Sequence, residues 1–572
     1  MTVRAGANVA NLQQAEVLGP MPVVEASSQQ TEASVVAPDQ DRPESITNLV
    51  SRMDDTLPES VLSMVSDVLQ EYLDVFSKSE NDLGVSDVVT HKIDTGGAAP
   101  IRQPLRRYPP AHLQAINEHV DNMLDQGVVE PATSPWASNL VLVRKKDGSY
   151  RCCVDYRPLN AVTRKDAYPL PRIDVCLDAM ASAKWFSIFD LRSAYHQVMV
   201  NPADSDKTAF ICHRGMYKFR RMPFGLCNSG ATFQRLMDIV MSGLHFQVCL
   251  IYLDDIIIFS ETTDQHLSRL TIVLDRLRTA GLKLKAEKCV LFQKSVTFLG
   301  HVVSGNGIAT DPEKIRAVKE WPLPASTREL RGFLGLAGYY RRFIADFASM
   351  AKPLHAMTGK GKKFCWTPEA DEAFQTLKGA LTSAPVLVMP TDSDELVVDA
   401  DASFGAIGCV LSQRQEGQEK VIAYASRCLD RREVNYCVTR KELLSIVYSL
   451  RHWKQYLFGR RFVIRTDHSA LTWLRRTPDP IGQQARWLEI MEEFDFVIEH
   501  RPGQRHGNAD ALSRRPCRLK NCACHGGEDI QEDHRSRQEV HSEVTGFFGG
   551  SADYQGTERE CAEVVYSVVI IK

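Results

Sequence analysis

The stretch Cys249-Leu250-Ile251-Tyr252-Leu253-Asp254-Asp255-Ile256-Ile257-Ile258-Phe259-Ser260 sets two adjacent carboxylates between two apolar, β-branched runs. Each run has the length and composition of a short buried strand, and Leu253-Asp254-Asp255 reads as the tight turn joining them. Two acids in such surroundings are costly unless something neutralises them. A divalent cation that prefers oxygen ligands, such as magnesium, would do so. A hairpin using Asp for turn chemistry is the plain alternative, and these residues alone leave both readings open.

Working outward, Ala183 to Tyr195 holds a second apolar strand ending in a carboxylate, Phe189-Asp190. A helix-like stretch from Ser229 to Gly243 follows the Met222-Pro223-Phe224-Gly225-Leu226 loop, and Leu267, Leu270, Val273, Leu274 and Leu277 mark an amphipathic helix capped by Thr263 or Asp264. Upstream, Asn139 to Tyr156 reads as strand, Asp147-Gly148 turn, strand. Its tip carries Arg144, Lys145, Lys146 and Arg151. Such a tip is either a solvated edge or a clamp for a triphosphate, whose charge ammonium and guanidinium groups complement. Ala111 to Gln126 has helical spacing, and so has Leu62 to Phe76. Residues 1–55 are rich in Ser, Gln, Ala, Pro and acids and read as linker or disorder. Asp94-Thr95-Gly96 matches the aspartic-protease triplet, but Gly97-Ala98-Ala99-Pro100 and a Pro/Arg-rich run follow at once, so it reads as a loop.

At 572 residues the chain has room for several domains, roughly three to four at ~150 residues each. A net charge of −3 offers no global basic field, so a nucleic-acid partner has to be argued from local sites. The 15 cysteines lie scattered in apolar segments, the pattern of reduced thiols in an intracellular protein. Cys517, Cys522, Cys524 and His525 fit no common zinc spacing and read as part of an unstructured tail. No basic-then-apolar leader and no membrane-spanning run is present, so a soluble protein is expected.

Val154-Asp155-Tyr156-Arg157-Pro158-Leu159-Asn160, Phe189-Asp190-Leu191-Arg192-Ser193-Ala194-Tyr195-His196-Gln197, Met222 to Leu226, Tyr252 to Asp255 and Phe298-Leu299-Gly300-His301 come in one order. In that order and spacing the chain resembles the reverse transcriptase of gypsy-class long-terminal-repeat retrotransposons, over about residues 90–515. The resemblance implies an RNA template, a DNA primer, deoxynucleoside triphosphates and Mg2+, with Mn2+ as an alternative and two ions per active site. Asp190, Asp254 and Asp255 would hold the metals of a two-metal nucleotidyl transfer. It also implies that Lys145 and Arg151 contact the triphosphate, that Tyr195 excludes a 2′-hydroxyl, and that Phe224 and Gly225 floor the templating pair. Phe298 to His301 resembles the hairpin gripping the primer end, and Leu330 to Phe343 resembles the thumb.

Glu395 to Ser403, Gly408 to Ser412 and Arg461 to His468 read as strands, and Leu443, Val447, Leu450 and Trp453 share a helix face with Glu442 nearby. Asp401, Glu442, Asp467 and Asp510 resemble a ribonuclease H site, a second two-metal centre cutting the RNA strand of an RNA–DNA hybrid. Asp401 is preferred to Asp399 because Asp-Ala-Ser follows in the family's register, although both face one side of the strand. His500 stands where related retroviral enzymes carry a general acid/base His, and a surface His is the alternative.

The expected fold is an α+β right-hand polymerase (fingers, palm, thumb) followed by an α/β ribonuclease H-like domain. The expected boundaries are 1–88 linker with one helix, 89–305 fingers and palm, 306–385 thumb/connection, 386–515 ribonuclease H-like and 516–572 polar tail. No integrase or protease is visible, so the chain reads as an incomplete or truncated Pol polyprotein. It is expected in the cytoplasm or virus-like particles, with nuclear entry as an alternative. A catalytically decayed nucleic-acid-binding derivative is the rival reading, set against the presence of every expected acid.

Overall fold

The Asp254-Asp255 stretch forms the expected hairpin, strand Cys249–Tyr252 pairing antiparallel with strand Asp255–Ser260. These are half of a four-stranded sheet ordered Val290–Gln293, Trp185–Asp190, Asp255–Ser260, Cys249–Tyr252. The computed structural model describes residues 44–79, 81–144, 150–359, 361–468 and 482–501. The expected tail, the cluster around Cys517 to His525 and residues 1–43 lie outside them.

The hairpin is continuously apolar because both faces of its sheet are covered. Ile251, Ile256 and Ile258 join one core with Phe233, Leu236, Val273 and Leu274, from helices Ser229–Val240 and Thr263–Thr279. Leu250, Ile257 and Phe259 join another with Phe298, Phe333 and Tyr340. Burial on two faces removes the alternation that a half-exposed strand would show. The cap of helix Thr263–Thr279 is Thr262, whose side chain accepts from Gln265 N. Expecting Thr263 or Asp264 therefore placed it too far along the chain, within the usual uncertainty of helix ends.

Residues 44–55 depart from the linker reading, while the helix expected from Leu62 to Phe76 is present as Glu59–Glu71. Helices Glu44–Val50 and Glu59–Glu71 bury Ile46, Leu49, Val61, Val65 and Leu69 in the first core. Arg52 donates to the carbonyls of Ala286 and Glu287 at 2.9 Å each, and Arg278 pairs with Asp74. The first element thus braces the sheet edge from behind.

In front, a five-stranded sheet ordered Val129–Pro131, Gly215–Phe219, Phe210–Cys212, Ser138–Arg144, Tyr150–Val154 contains the expected basic hairpin. Asp94 lies in a loop, accepting from Gly96 N and pairing with Arg164, as the reading against a protease requires. Strands Ser295–Phe298, His301–Ser304 and Gly307–Thr310 form a small sheet. Helix Thr327–Tyr339 latches onto its first turn: Tyr339 Oη donates to Leu299 O (2.5 Å) and Tyr340 Oη to Gly300 O (2.6 Å).

The last sheet runs Gln418–Cys428, Ala406–Gln415, Leu396–Ala402, Arg461–Thr466, Asp495–His500. Helix Val438–His452 packs on its buried face. Its outer strand Gln418–Cys428 lies against helix Phe347–Met357, where Ala348 N donates to Ser426 Oγ (2.9 Å). Tyr456 reaches the first sheet's neighbourhood and donates to Asp178 Oδ2 (2.6 Å). Among the described residues every cysteine is a free thiol, and no helix is long and apolar enough to cross a membrane.

Candidate active sites

Asp190 ends its strand directly opposite Asp255, and Asp255 is in turn opposite Tyr252. Register alone therefore sets one carboxylate from each of two strands side by side at the sheet's end. Asp254 stands on the exposed turn joining strand Cys249–Tyr252 to strand Asp255–Ser260. The turn forces Leu253 to φ +57°, a left-handed conformation that L-residues disfavour. It is held there by Gln234, whose Oε1 accepts from Leu253 N at 2.8 Å. A Cβ at Gly230 would come to 3.3 Å from Leu253 Cδ2, a tight contact to which the leucine side chain would have to yield. Lys288 Nζ sits 3.2 Å from Asp190 Oδ2, and Lys285 N donates to Asp190 O at 2.8 Å. A cation thus already stands where Asp190 faces solvent.

Tyr195 follows Ser193, itself at φ +45°, and its ring lies 5.1 Å from Phe224 and 5.6 Å from Phe233. Phe224 is 40% exposed. Gly225 adopts φ +93°, and its carbonyl accepts from Asn160 Nδ2 at 2.8 Å. His196, wedged against Phe224, has its pKa driven down to about 4 by burial, so the ring is neutral. The sequence-predicted Tyr195, Phe224 and Gly225 are therefore one surface. Lys145 lies outside the described residues, as does the Arg151 side chain.

The second site is tighter. Asp401, Glu442 and Asp467 offer ligand atoms all within 4.8 Å of one another. Asp401 is near the end of strand Leu396–Ala402, Glu442 on helix Val438–His452, and Asp467 just past strand Arg461–Thr466. Asp401 and Glu442 are each 3% exposed. Glu442 Oε1 accepts from Ala402 N at 3.2 Å, tying helix to strand beside Asp401. Three oxygen donors on one spot fit a hard divalent cation. Asp399, the competitor for Asp401, forks onto Arg465 instead, Nε to Oδ1 at 2.8 Å and Nη2 to Oδ2 at 2.5 Å. His500 ends strand Asp495–His500, and its Nε2 donates to Asp467 O at 3.0 Å. His468 instead meets Thr439 Oγ1 at 2.9 Å. Asp510 lies outside the described residues.

Sequence reading passed over Gln234, Lys288 and Arg465. The usable signal for Gln234 was a polar side chain on the apolar face of its helix. For Arg465 it was an arginine inside a strand that is otherwise buried. Nothing local marked Lys288.

Residues 143–303 match the reverse transcriptase (RNA-dependent DNA polymerase) family, and residues 391–494 match the RNase H-like domain found in reverse transcriptase. The chain is 36% identical over 522 residues to the Retrovirus-related Pol polyprotein from transposon 297 of Drosophila melanogaster, covering 90% of this chain and 47% of that protein. With the corresponding polyprotein from transposon opus it shares 36% over 502 residues, covering 85% and 50%. The Transposon Tf2-3 polyprotein of Schizosaccharomyces pombe is 34% identical over 420 residues, or 72% and 32%. The chain thus spans about half the length of the curated relatives it matches best covered, or less. In fold it is similar to the foamy viral protease-reverse transcriptase in complex with dsDNA, with a TM-score of 0.71 at 24% identity over 82% of this chain and 99% of that one. The same viral protein in complex with RNA/DNA hybrid gives a TM-score of 0.68 at 24% identity, over 86% and 66%.

Proposed function

For this chain, which belongs to the reverse transcriptase–ribonuclease H portion of retrotransposon Pol polyproteins, we propose RNA-directed DNA synthesis at the first site and cleavage of RNA in RNA–DNA hybrids at the second. The observation that carries the reading is that each family-matched segment brings its own carboxylates together. Asp190 faces Asp255 across a ladder within 143–303, and Asp401, Glu442 and Asp467 converge within 391–494.

At the first site Asp190, Asp254 and Asp255 would hold Mg2+, with Mn2+ as an alternative and two ions per site. The second site would use Asp401, Glu442, Asp467 and Asp510 in the same way. Such ions, when bound, supply Lewis-acid stabilisation and an activated oxygen nucleophile. Before they arrive, the Lys288 ammonium offsets part of the negative charge on Asp190. Tyr195, backed by Phe224 and Phe233, presents a rigid ring where a deoxyribose would lie, and its bulk would exclude a 2′-hydroxyl. Phe224 and Gly225 would support the templating pair, with the Gly225 backbone free to approach closely. Lys145 and Arg151 would receive the triphosphate. His500, next to Asp467, would serve the second site as a proton carrier. The partners are an RNA template, a DNA primer, deoxynucleoside triphosphates and the resulting hybrid, in the cytoplasm or in virus-like particles. The proposed domain limits are 89–305 for fingers and palm, 306–385 for thumb/connection and 386–515 for the ribonuclease H-like domain, and the helices of residues 44–79 would support the palm.

The test is primer extension on a labelled RNA template with Mg2+. Asp190→Asn or Asp254→Asn is expected to abolish extension and spare RNA cutting, and Glu442→Gln to do the reverse. Equal loss of both activities in every folded variant overturns the two-site reading. A folded wild type that neither extends nor cuts supports the decayed, binding-only derivative.

A further inference from the structure

Beneath the second site lies a charged ladder that its chemistry does not use. Arg465 is opposite Asp399 in the parallel register of strands Leu396–Ala402 and Arg461–Thr466. Its guanidinium forks onto Asp399 on one side and onto Glu419, from strand Gln418–Cys428, on the other, with Nη1 to Glu419 Oε2 at 2.9 Å. The Asp399 side chain is 1% exposed and that of Arg465 9%. Arg501 Nη1 approaches Asp399 Oδ1 to 3.9 Å.

Asp401 comes two residues further along its strand, on the same face as Asp399, and Asp467 comes two residues after Arg465, just past the end of its strand. The third acid, Glu442, is tied to the same strand through Ala402 N. Three carboxylates within 4.8 Å repel one another, so two strand ends carrying two of them tend to splay. A buried ion pair is weak evidence for stability, since desolvation offsets much of its attraction. A doubly forked guanidinium is a strong fixer of geometry, because each fork sets distance and plane together.

We propose that the Asp399–Arg465–Glu419 ladder is the positioning device of the ribonuclease H site, holding the Asp401 and Asp467 strand ends in register for the cation. The proposal rests on the ribonuclease H reading above. Positioning and simple charge predict different signs. If the ladder acts only through charge, Asp399→Asn removes an anion and weakens cation binding, whereas Arg465→Gln removes a cation and strengthens it. If the ladder positions the ligands, both variants weaken binding, by the roughly 10- to 100-fold that loss of a ligand-orienting partner costs.

The experiment is calorimetric titration of Mn2+ into the full chain carrying Asp190→Asn and Asp254→Asn, so that the palm carboxylates contribute little heat. Asp399→Asn and Arg465→Gln are expected each to weaken binding at least tenfold. In the otherwise wild-type chain they should raise the Mg2+ requirement of hybrid cutting and leave primer extension unchanged. Opposite signs for the two variants, or wild-type binding in both, overturn the proposal. Where a single variant fails to fold, the double variant Asp399→Asn/Arg465→Gln strands no buried charge and carries the same measurement. It is expected to bind at least tenfold more weakly, and wild-type binding there overturns the proposal. A wild-type chain that cuts no hybrid and takes up no Mn2+ in this assay refutes the ribonuclease H reading itself, which is a different outcome.

Discussion

Gln234 holds the Asp254-Asp255 turn in shape from the middle of a helix. Its side-chain oxygen meets the amide of Leu253, a residue kept at φ +57°. Gln234→Leu would leave that amide without its acceptor, at a cost of about 1–3 kcal/mol. Primer extension is expected to slow at least several-fold with hybrid cutting unchanged, and equal extension rates for variant and wild type would refute this role. At this scale the acids themselves were legible, because Tyr252 to Asp255 and Asp401-Ala402-Ser403 carry their own context. What stayed illegible were their supports. Asp399 and Asp401 share one face in any strand, so the sequence separates them only through the Asp-Ala-Ser register, and it is Arg465, 66 residues away, that separates them physically by occupying Asp399. Gln234 likewise acts across 19 residues.

Among the elements, the hairpins and long amphipathic helices could be read from period alone, while the first helix could not. Glu44–Val50 is seven residues in a polar context, too short for a 3.6-residue period to declare itself or for a helix to persist without tertiary contacts. Its stability comes from the sheet it covers. Leu69, fully buried in the next helix, tests that dependence. Leu69→Ala is expected to cost about 2–5 kcal/mol, read as a lower urea midpoint with an unchanged slope. A loss below 1 kcal/mol would mean that residues 44–79 are dispensable to the sheet. The basic tip of the Ser138–Arg144 hairpin is the converse case, read from sequence as a phosphate clamp or a solvated edge, with Lys145, Lys146 and the Arg151 side chain lying outside the described residues.

Over the whole molecule, buried histidines set the response to acid. His91, His266 and His301 are each at most 2% exposed. Burial lowers their pKa values to about 4, about 3 and about 4. His266 is satisfied while neutral, between Ser187 Oγ (2.7 Å) and Ser260 Oγ (2.8 Å). The unfolded chain takes up protons at these rings below about pH 6.5, where the folded chain does not. Stability is therefore complete above that pH and falls as pH drops from about 6.5 towards 4, by about 1.4 kcal/mol per ring at pH 5.5. Urea midpoints should fall between pH 7.5 and 5.5, and equal midpoints would show that these rings already titrate normally in the fold. The seam between the last sheet and helix Phe347–Met357, with Tyr456 on Asp178 at its far side, has a thermal consequence. Burial raises the pKa of Asp178, and the Tyr456 hydroxyl that donates to it fastens the last sheet's domain to that buried carboxyl. Heat should then melt synthesis and cutting together, as one endotherm in scanning calorimetry, with Tyr456→Phe lowering its temperature without splitting it. Two resolved peaks in the wild type would mean that the part holding the second site can come apart while the part holding the first stays whole.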